Sequence, residues 1–322
     1  MKKSISRIAL SVALVWLLEL GAFAEELLIP GGQVIGLQLC NDTVTVAAFD
    51  DVLGGDSKAA GLQVGDEILS VNGQKVRSAQ EVCGALDRSD GTVEIRVSRG
   101  GKEKKLKIKP KITDMGPRLG VYLRSGITGI GTVTWYDPET DRFGTLGHGV
   151  NGSDGKLLEM TQGTAFDAQV ASVKKGISGE PGQLKGAVAA GREVGQLYRN
   201  TQQGLFGISE QGWMGEALPV GEAGDIRTGD AVIRSTVCAD RVQEYSVEIL
   251  KIYPVDRPDG RNLLLKITDP ALLEATGGIV QGMSGSPIIQ DGKLVGAITH
   301  VLVNDPTTGY GIFIENMLDA AA

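Results

Sequence analysis

Histidine and cysteine are both scarce in this chain of 322 residues, which contains only two histidines and three cysteines. The cysteines form no Cys-x-x-Cys pair, and together with so few histidines this argues against a Cys/His zinc site. We therefore expect neither a metal nor another cofactor. An excess of basic residues is also missing, because the net charge is −7 at pH 7. That balance argues against a nucleic-acid-binding protein, which normally presents a basic face.

Aromatic residues make up only 5% of the chain, whereas glycine occurs 46 times. This combination favours many short strands joined by tight turns. Strand-like runs recur from residue 34 onward, and a linker at 110–117, bracketed by prolines, separates two regions. We predict one short helix at 78–86 and no other of any length except at 314–321. The chain is therefore predicted to be mainly β, with a barrel or sandwich as its second domain.

The first 24 residues have the pattern of an export signal. Basic residues among the first seven positions precede an apolar run over residues 8–18, and Ala22 and Ala24 supply small side chains for a cleavage site. Glu19 interrupts the apolar run, which is short for a spanning helix of about 20 residues. We expect a cleaved signal in preference to a retained membrane anchor, and in either case a protein that works outside the cytoplasm.

A module motif follows at residues 57–73, which read SKAAGLQVGDEILSVNG. The segments Ala60-Gly61-Leu62, Gly65-Asp66-Glu67-Ile68 and Val71-Asn72-Gly73 resemble the signature of PDZ domains. The glycines allow tight turns, while the apolar residues between them bury against a sheet. The resemblance covers about residues 33–112 and predicts a PDZ domain there.

PDZ domains bind an extended peptide as an added strand at an exposed sheet edge. By resemblance, the peptide would bind along the Gly32–Leu37 segment, with Val34, Ile35, Gly36 and Leu37 as the contact residues. This segment departs from the usual carboxylate-binding loop, which leaves an internal peptide segment open as the ligand. A PDZ scaffold whose groove is already filled is the alternative.

The strongest chemical motif is GMSGSP at residues 282–287, which precedes two apolar strands joined by Asp291-Gly292. It resembles the nucleophile segment of chymotrypsin-like serine proteases and places Ser284 at the nucleophile position. Gly282 and Gly285 flank the serine, where larger side chains would obstruct a strained turn. The amide groups of Gly282 and Ser284 are then expected to form the oxyanion hole.

A serine hydroxyl needs a neighbouring base that accepts its proton. Only His148 and His300 can supply an imidazole. His148 lies between glycines at the end of a predicted strand and precedes Ser284 in the chain, which is the order of chymotrypsin-like enzymes. We predict His148 as the base and a structural role for His300.

Residues 266–286, which include Asp269, closely resemble the stage IV sporulation protein B (SpoIVB) peptidases of spore-forming bacteria. The Gly147-His148-Gly149 segment and residues 304–315 fit the same family. Its members join an export segment, a PDZ domain and a serine peptidase domain, here predicted over 118–322 with a chymotrypsin-like β-barrel.

The third member of the catalytic set is the least determined by the sequence. The resemblance implies Asp269, which shortly precedes the nucleophile. The chain order of chymotrypsin-like enzymes instead places the acid between base and nucleophile, where Asp167, Glu193 and Asp225 are the alternatives. Asp269 precedes a proline, so a turn or cap role is also consistent with it.

The resemblance covers essentially the whole chain and implies a self-processing serine endopeptidase. Such a protein is made in the forespore and exported into the space between two membranes. There it cleaves a membrane-bound regulator of an intramembrane protease, which leads to activation of a mother-cell sigma factor. The expected partners are therefore a protein substrate and a peptide ligand of the PDZ domain.

Two other functions are compatible with the same residues. One is a catalytically inactive, PDZ-containing scaffold that binds peptides, because the acid is uncertain and the Gly-His-Gly setting is plain. The other is a quality-control protease or chaperone, although the usual domain order there is protease first and PDZ second.

Overall fold

The computed structural model describes residues 26–152, 155–237 and 241–322. The predicted export signal at residues 1–24 lies outside the described residues. The described chain begins with two strands, β1 (Leu27–Pro30) and β2 (Val34–Cys40). Within the described ranges, no helix has both the length and the apolar character needed to cross a membrane.

The chain next forms a small domain with its own sheet and core, which we call the inserted domain (residues 44–124). Its main sheet has the strand order β10-β3-β4-β6-β7, so β10 is an edge strand. In chain order its elements are β3 (Val44–Phe49), α1 (Gly55–Ala59), β4 (Glu67–Val71), β5 (Gln74–Lys75), α2 (Ala79–Asp87), β6 (Val93–Arg99), β7 (Lys102–Ile108), β8 (Lys111–Thr113), β9 (Gly116–Arg118) and β10 (Val121–Arg124).

The turns of the inserted domain follow the motif found at residues 57–73. Gly61 and Gly65 have φ angles of +95° and +90°, which L side chains rarely adopt. Leu62 and Ile68 are each only 1% exposed and belong to the domain core. The motif residues therefore have the backbone and burial that the sequence predicted for them.

The chain then returns to the strands with which it began. Six further strands follow: β11 (Ile127–Tyr136), β12 (Arg142–Thr145), β13 (Gln162–Lys174), β14 (Gln183–Thr201), β15 (Gly204–Ser209) and β16 (Leu218–Pro219). Strands β12, β15, β14, β13, β2 and β11 pair in that order, and β12 also pairs with β11. This last pairing closes a first antiparallel barrel of six strands, and the inserted domain leaves it between β2 and β11.

The position of β2 corrects two predictions. It pairs with β11 along one edge and with β13 along the other, so no peptide can add to it as a strand. The predicted peptide-contact residues Val34, Ile35, Gly36 and Leu37 therefore belong to the first barrel. The boundaries predicted for the PDZ domain, 33–112, also differ from the structure, because the domain's sheet extends through β10.

A second barrel completes the molecule. Its strands β17, β18, β19, β22, β21 and β20 pair in a closed ring, and two helices accompany them. The elements are β17 (Gly229–Ser235), β18 (Gln243–Ile252), β19 (Leu263–Ile267), α3 (Pro270–Thr276), β20 (Pro287–Gln290), β21 (Lys293–Leu302), β22 (Asp305–Phe313) and α4 (Ile314–Ala321). The predicted mainly β class is confirmed, and so is helix α4, whereas helix α3 was not predicted.

The two barrels share buried cores. Val34 and Leu184 of the first barrel pack in the same apolar cluster as Met283 of the second. A further cluster joins Trp135 and Phe206 to Met317 of α4. Because apolar burial supplies most of the folding free energy, these clusters hold the barrels together as one unit with a cleft between them.

Candidate active site

The segment that carries Ser284 is a tight turn between α3 and β20. Gly282 and Gly285 have φ angles of +101° and +96°. A Cβ on Gly285 would lie only 2.1 Å from the carbonyl oxygen of Thr132 and 2.6 Å from the amide nitrogen of Leu146. Glycine is therefore required at 285 both by backbone conformation and by the approach of the other barrel.

Strand β11 of the first barrel holds this turn by donating hydrogen bonds to the carbonyl groups of the turn. The amide of Thr132 donates to the carbonyl of Ser284 at 3.0 Å, and its hydroxyl donates to the carbonyl of Gly282 at 2.8 Å. Thr134 likewise donates to the carbonyl of Gly285 at 2.8 Å. Within the described chain, the amides of Gly282 and Ser284 have no acceptor, so both predicted oxyanion-hole donors are available.

The hydroxyl of Ser284 does not bond to a histidine in this structure. Its Oγ donates to the carbonyl of Thr299 on β21 at 3.0 Å. Catalytic hydrogen bonds are often absent or long before substrate binds. The hydroxyl must therefore give up its bond to Thr299 before its proton can pass to a base.

His148 follows β12 through a backbone turn that brings it to β21. Leu146 and Gly147 both have positive φ angles, +69° and +66°. A Cβ on Gly147 would lie 2.9 Å from Cγ2 of Thr299, the residue whose carbonyl binds Ser284. The turn thus carries the imidazole from the first barrel to the strand that lies beside the nucleophile.

The ring of His148 is held through one nitrogen. Its Nδ1 lies 3.0 Å from the carbonyl oxygen of Gly149. For this contact to be a hydrogen bond, Nδ1 must carry the proton, which leaves Nε2 as a free acceptor. Burial lowers the pKa of the His148 imidazole below 6.5, although the Gly149 carbonyl acts to raise it. The residue is therefore neutral at pH 7, as a general base must be.

Asn200 on β14 clamps the loop that follows His148. Its Nδ2 donates to the carbonyls of Val150 at 2.8 Å and Leu158 at 3.0 Å. Its Oδ1 accepts from the amide of Val150 at 3.0 Å. These three bonds make Asn200 a positioning residue for the His148 loop. Sequence reasoning did not find it, because its partners are backbone groups remote in the chain.

His300 lies next to His148, with 5.3 Å between the ring centroids. Its Nδ1 is buried and has no hydrogen-bond partner in the described chain. Burial, followed by the charges of His148 and Arg261, lowers the pKa of His300 to about 4, against the opposing effect of Asp259. Both imidazoles are therefore neutral at pH 7, and His300 adds no positive charge that would compete with a protonated His148.

Ser284 and His148 line one cavity of about 470 Å³ between the barrels, together with His300 and Thr299. The structure thus brings the predicted nucleophile, base and oxyanion-hole residues into one place. The remainder of the wall is mainly aliphatic, with side chains from β2, β11 and β21. A cavity with apolar walls and a few convergent polar groups is typical of a binding site for part of a substrate.

Asp269 is not brought to this cavity, which corrects its predicted role as the third catalytic residue. It is the N-cap of α3, where its carboxylate accepts from the amide of Leu272 at 2.9 Å and from that of Ser246 at 3.4 Å. A capping carboxylate satisfies amides that the first helical turn leaves unpaired. The cap role that the sequence left open for Asp269 is therefore the one that the structure shows.

The alternative acids are also engaged elsewhere. Asp167 pairs with Arg192 at 3.0 Å, and Asp225 pairs with Lys293 at 3.3 Å. The carboxylate of Glu193 accepts from Gln196 at 3.0 Å. Among the described residues, no carboxylate hydrogen-bonds to His148, so the orientation of its ring depends on Gly149.

A second candidate site lies on the inserted domain, where the free edge of β10 faces α2. Val82, Leu86, Val121 and Leu123 line an apolar groove there of about 150 Å³. The turn before β10 has Gly120 at φ +65°, and a Cβ on it would lie 2.2 Å from the carbonyl carbon of Leu53. A glycine turn before an apolar edge strand was the missed sequence signal for this groove.

A serine on a glycine turn of one barrel, facing an imidazole from the other, defines a chymotrypsin-like serine peptidase. The chain belongs to the SpoIVB peptidase S55 family, whose model matches residues 116–318. A PDZ domain model matches residues 55–99, within the inserted domain. The predicted family and enzyme class are thereby confirmed: the chain is a serine peptidase with a PDZ domain.

More distant likenesses cover parts of the chain. A protein of Vibrio cholerae serotype O1, whose name describes a zinc metalloprotease, is 31% identical over 144 residues, which are 44% of this chain and 30% of that protein. The chain thus spans under a third of this curated relative. Among the described residues, no group of three or more His, Cys, Asp or Glu side chains could hold a metal ion.

Two solved structures are similar in parts. The PDZ domain of the SdrC-like protein from Listeria monocytogenes is 29% identical, with a TM-score of 0.22 over 26% of this chain and 88% of that one. The inactive form of the Rv3671c protease is 15% identical, with a TM-score of 0.35 over 59% of this chain and 82% of that one. At these scores, the fold assignment depends on the strand pairing of this chain.

Proposed function

We propose that this chain is an exported, self-processing serine endopeptidase that signals during sporulation by cleaving a membrane-bound regulator of an intramembrane protease. Ser284 is the nucleophile and His148 the general base. The observation that carries the proposal is their meeting in one cavity beside two unpaired amides. Membership of the SpoIVB peptidase family supports the sporulation role.

In the proposed reaction, Nε2 of His148 takes the proton of Ser284 Oγ as the oxygen attacks the carbonyl carbon of the substrate. The negative charge that develops on the carbonyl oxygen is stabilised by the amides of Gly282 and Ser284. The protonated imidazole then donates its proton to the leaving amine. Water hydrolyses the resulting acyl-enzyme by the same transfers and releases Ser284.

The Gly149 carbonyl takes over one task of the usual triad acid. By accepting from Nδ1, it selects the tautomer in which Nε2 is free, as an aspartate does in a Ser-His-Asp triad. A neutral carbonyl stabilises the imidazolium less than a carboxylate does. We therefore expect a slower enzyme than one with a complete triad, which suits a protease that makes a few regulatory cuts.

The inserted PDZ domain supports a protein or peptide substrate. Its groove on β10 is suited to an extended peptide, which adds to the free edge as a strand. The amino-terminal pattern of residues 1–24 supports export, and the family supports action in the space between the forespore membranes. Self-processing is consistent with removal of an anchored amino-terminal segment.

One observation favours a second candidate function, that of an inactive peptide-binding scaffold. Ser284 donates to Thr299 and not to His148, and no described carboxylate contacts the imidazole. A scaffold would keep the PDZ groove in use without needing the hydroxyl.

The two functions are separated by labelling with a fluorophosphonate, which reacts with activated serines, and by following self-cleavage. Ser284→Ala should abolish labelling and lower cleavage by at least about 10⁴-fold. Ser178→Ala, at an exposed serine, is the matched control and should match the wild type. Wild-type protein that neither labels nor cleaves would support the scaffold, and a Ser284→Ala variant that still cleaves normally would refute the assignment of the nucleophile.

A further inference from the structure

The cavity beside Ser284 is walled by aliphatic side chains from both barrels. Ile130, Leu146 and Val150 come from the first barrel, while Ile279, Val280 and Val301 come from the second. The polar members of its lining are largely the site residues already described and their neighbours. The space beyond the nucleophile is therefore an apolar pocket.

No Asp, Glu, Lys or Arg side chain lines this cavity in the described part of the chain. The two histidines on its wall are held neutral at pH 7 by burial. An ammonium or carboxylate group placed in the pocket would lose its hydration without gaining an opposite charge. An aliphatic side chain has no charge to desolvate there, and burial of its apolar surface favours binding.

The walls closest in sequence to the nucleophile are well packed. Ile279 and Val280 are 2% and 1% exposed, and they directly precede the Gln281-Gly282 end of the nucleophile turn. A Cβ on Gly309 would meet Cδ1 of Ile279 at 2.5 Å, so Ile279 packs against β22. Val301 follows Thr299, whose carbonyl binds Ser284, by only two residues.

We propose that this pocket selects an aliphatic side chain, such as leucine or valine, on the substrate residue whose carbonyl Ser284 attacks. Ile279, Val280 and Val301 are the specificity-determining residues. The inference rests on the proposed function, since it assumes that Ser284 is the nucleophile. It adds the substrate class: peptide bonds that follow aliphatic residues, and not those that follow lysine, arginine, aspartate or glutamate.

The test uses aminoalkylphosphonate diphenyl esters, which phosphonylate a catalytic serine and differ only in the side chain that enters the pocket. Labelling of the full chain is followed by intact mass, with leucine, valine, lysine and aspartate analogues. Each rate is divided by that of a fluorophosphonate with no such side chain, which corrects for reactivity of the serine itself. The leucine analogue should react at least about 100-fold faster than the lysine and aspartate analogues.

Val301→Asp places a carboxylate in the pocket and should reverse the preference, raising the lysine-to-leucine rate ratio by at least about 100-fold. Val303→Asp makes the same change at an exposed position two residues away and should leave the ratio unaltered. Should Val301→Asp fail to fold, as judged by circular dichroism, Val301→Thr keeps the shape of valine. It should lower the normalised leucine rate about tenfold.

The outcomes separate the inference from the function on which it rests. If the fluorophosphonate labels Ser284 but the four analogues react at similar rates, or lysine reacts fastest, the pocket assignment is overturned and the peptidase remains. An unchanged ratio in Val301→Asp, or an unchanged leucine rate in Val301→Thr, overturns it as well. Failure of the fluorophosphonate to label Ser284 overturns both.

Discussion

The two barrels contribute to the active site by different means. The second barrel presents Ser284 on a turn whose carbonyls are tied to β11 and whose glycines admit no side chain. The first barrel presents His148 on a loop held by the Gly149 carbonyl at one ring nitrogen, by the side chain of Asn200 and by a backbone bond from Leu158 to Val150. Ser284 is thus tied to the opposite barrel through the carbonyls of its turn, whereas the hydrogen bonds that hold the His148 loop lie within its own barrel.

This difference indicates where activity is most easily adjusted. A turn fixed by close backbone contacts has one arrangement, and a substitution there should lower the stability of the fold as well as the rate of catalysis. A loop fixed by side-chain hydrogen bonds can shift without unfolding the barrel. We therefore expect substitutions near His148 to change rate and pH dependence, and substitutions near Ser284 to change stability too.

The largest effect is expected at the base. His148→Ala should lower kcat/KM by about 10⁴-fold, because no other group then accepts the Ser284 proton. In the wild type, activity should fall with acid only below pH 6.5, since burial lowers the pKa of His148 and the neutral form is required. His300→Asn should cost less than about tenfold, and the reverse ranking would make His300 the base.

Gly285→Ala tests the turn that carries Ser284. The added Cβ would overlap the Thr132 carbonyl, so the free energy of unfolding should fall by about 3 kcal/mol or more, with loss of activity. Gly292→Ala is the matched control, because it has a similar positive φ but open space around it. It should cost only about 1 kcal/mol, measured by chemical denaturation. Equal costs would mean that backbone strain alone fixes the turn.

Asn200→Asp tests the hydrogen bonds that hold the His148 loop. The variant loses two donors to carbonyls and brings a negative charge to the His148 loop, so kcat/KM should fall by about 10- to 100-fold. The same charge should raise the pKa of His148 and move the acid limb of the rate profile to higher pH. Asn316→Asp also loses two donor bonds, neither of them to the His148 loop, and should leave that limb in place.

The smallest effect on activity is expected at Asp269. Asp269→Ala removes the cap of α3 and should lower the free energy of unfolding by about 1 kcal/mol, with kcat/KM changed less than about twofold. Asp269→Asn keeps a capping oxygen and should recover most of the stability. A loss of activity near 10⁴-fold in both variants would restore Asp269 as the catalytic acid.

The predicted site residues that the structure brings together are those whose chemistry is local. Ser284 and its glycines lie within one short turn, and His148 is one of only two imidazoles in the chain. Helix α4 was also found, because its apolar periodicity is continuous. The structure places Asp269 away from the cavity. The sequence could not show this, because an aspartate before proline has the same pattern whether it caps a helix or serves a triad.

The predicted location of the peptide groove differs from the structure for another reason. Val34–Leu37 is an apolar, glycine-containing strand that fits either sheet, and its true partners β11 and β13 lie far along the chain. Strand pairing at such separations leaves no local signal. The same holds for Asn200, whose role depends on backbone groups of Val150 and Leu158.

The place at which the inserted domain leaves the first barrel has a consequence for biosynthesis. Strands β2 and β11 are neighbours, with Leu39 opposite Ile127, yet the whole PDZ domain is translated between them. The barrel partners of β1 and β2 are therefore made only after the PDZ domain, which gives that domain the opportunity to fold first. Because Ser284 lies later still in the chain, the PDZ domain is complete before the serine turn is made, and it can fold without the second barrel.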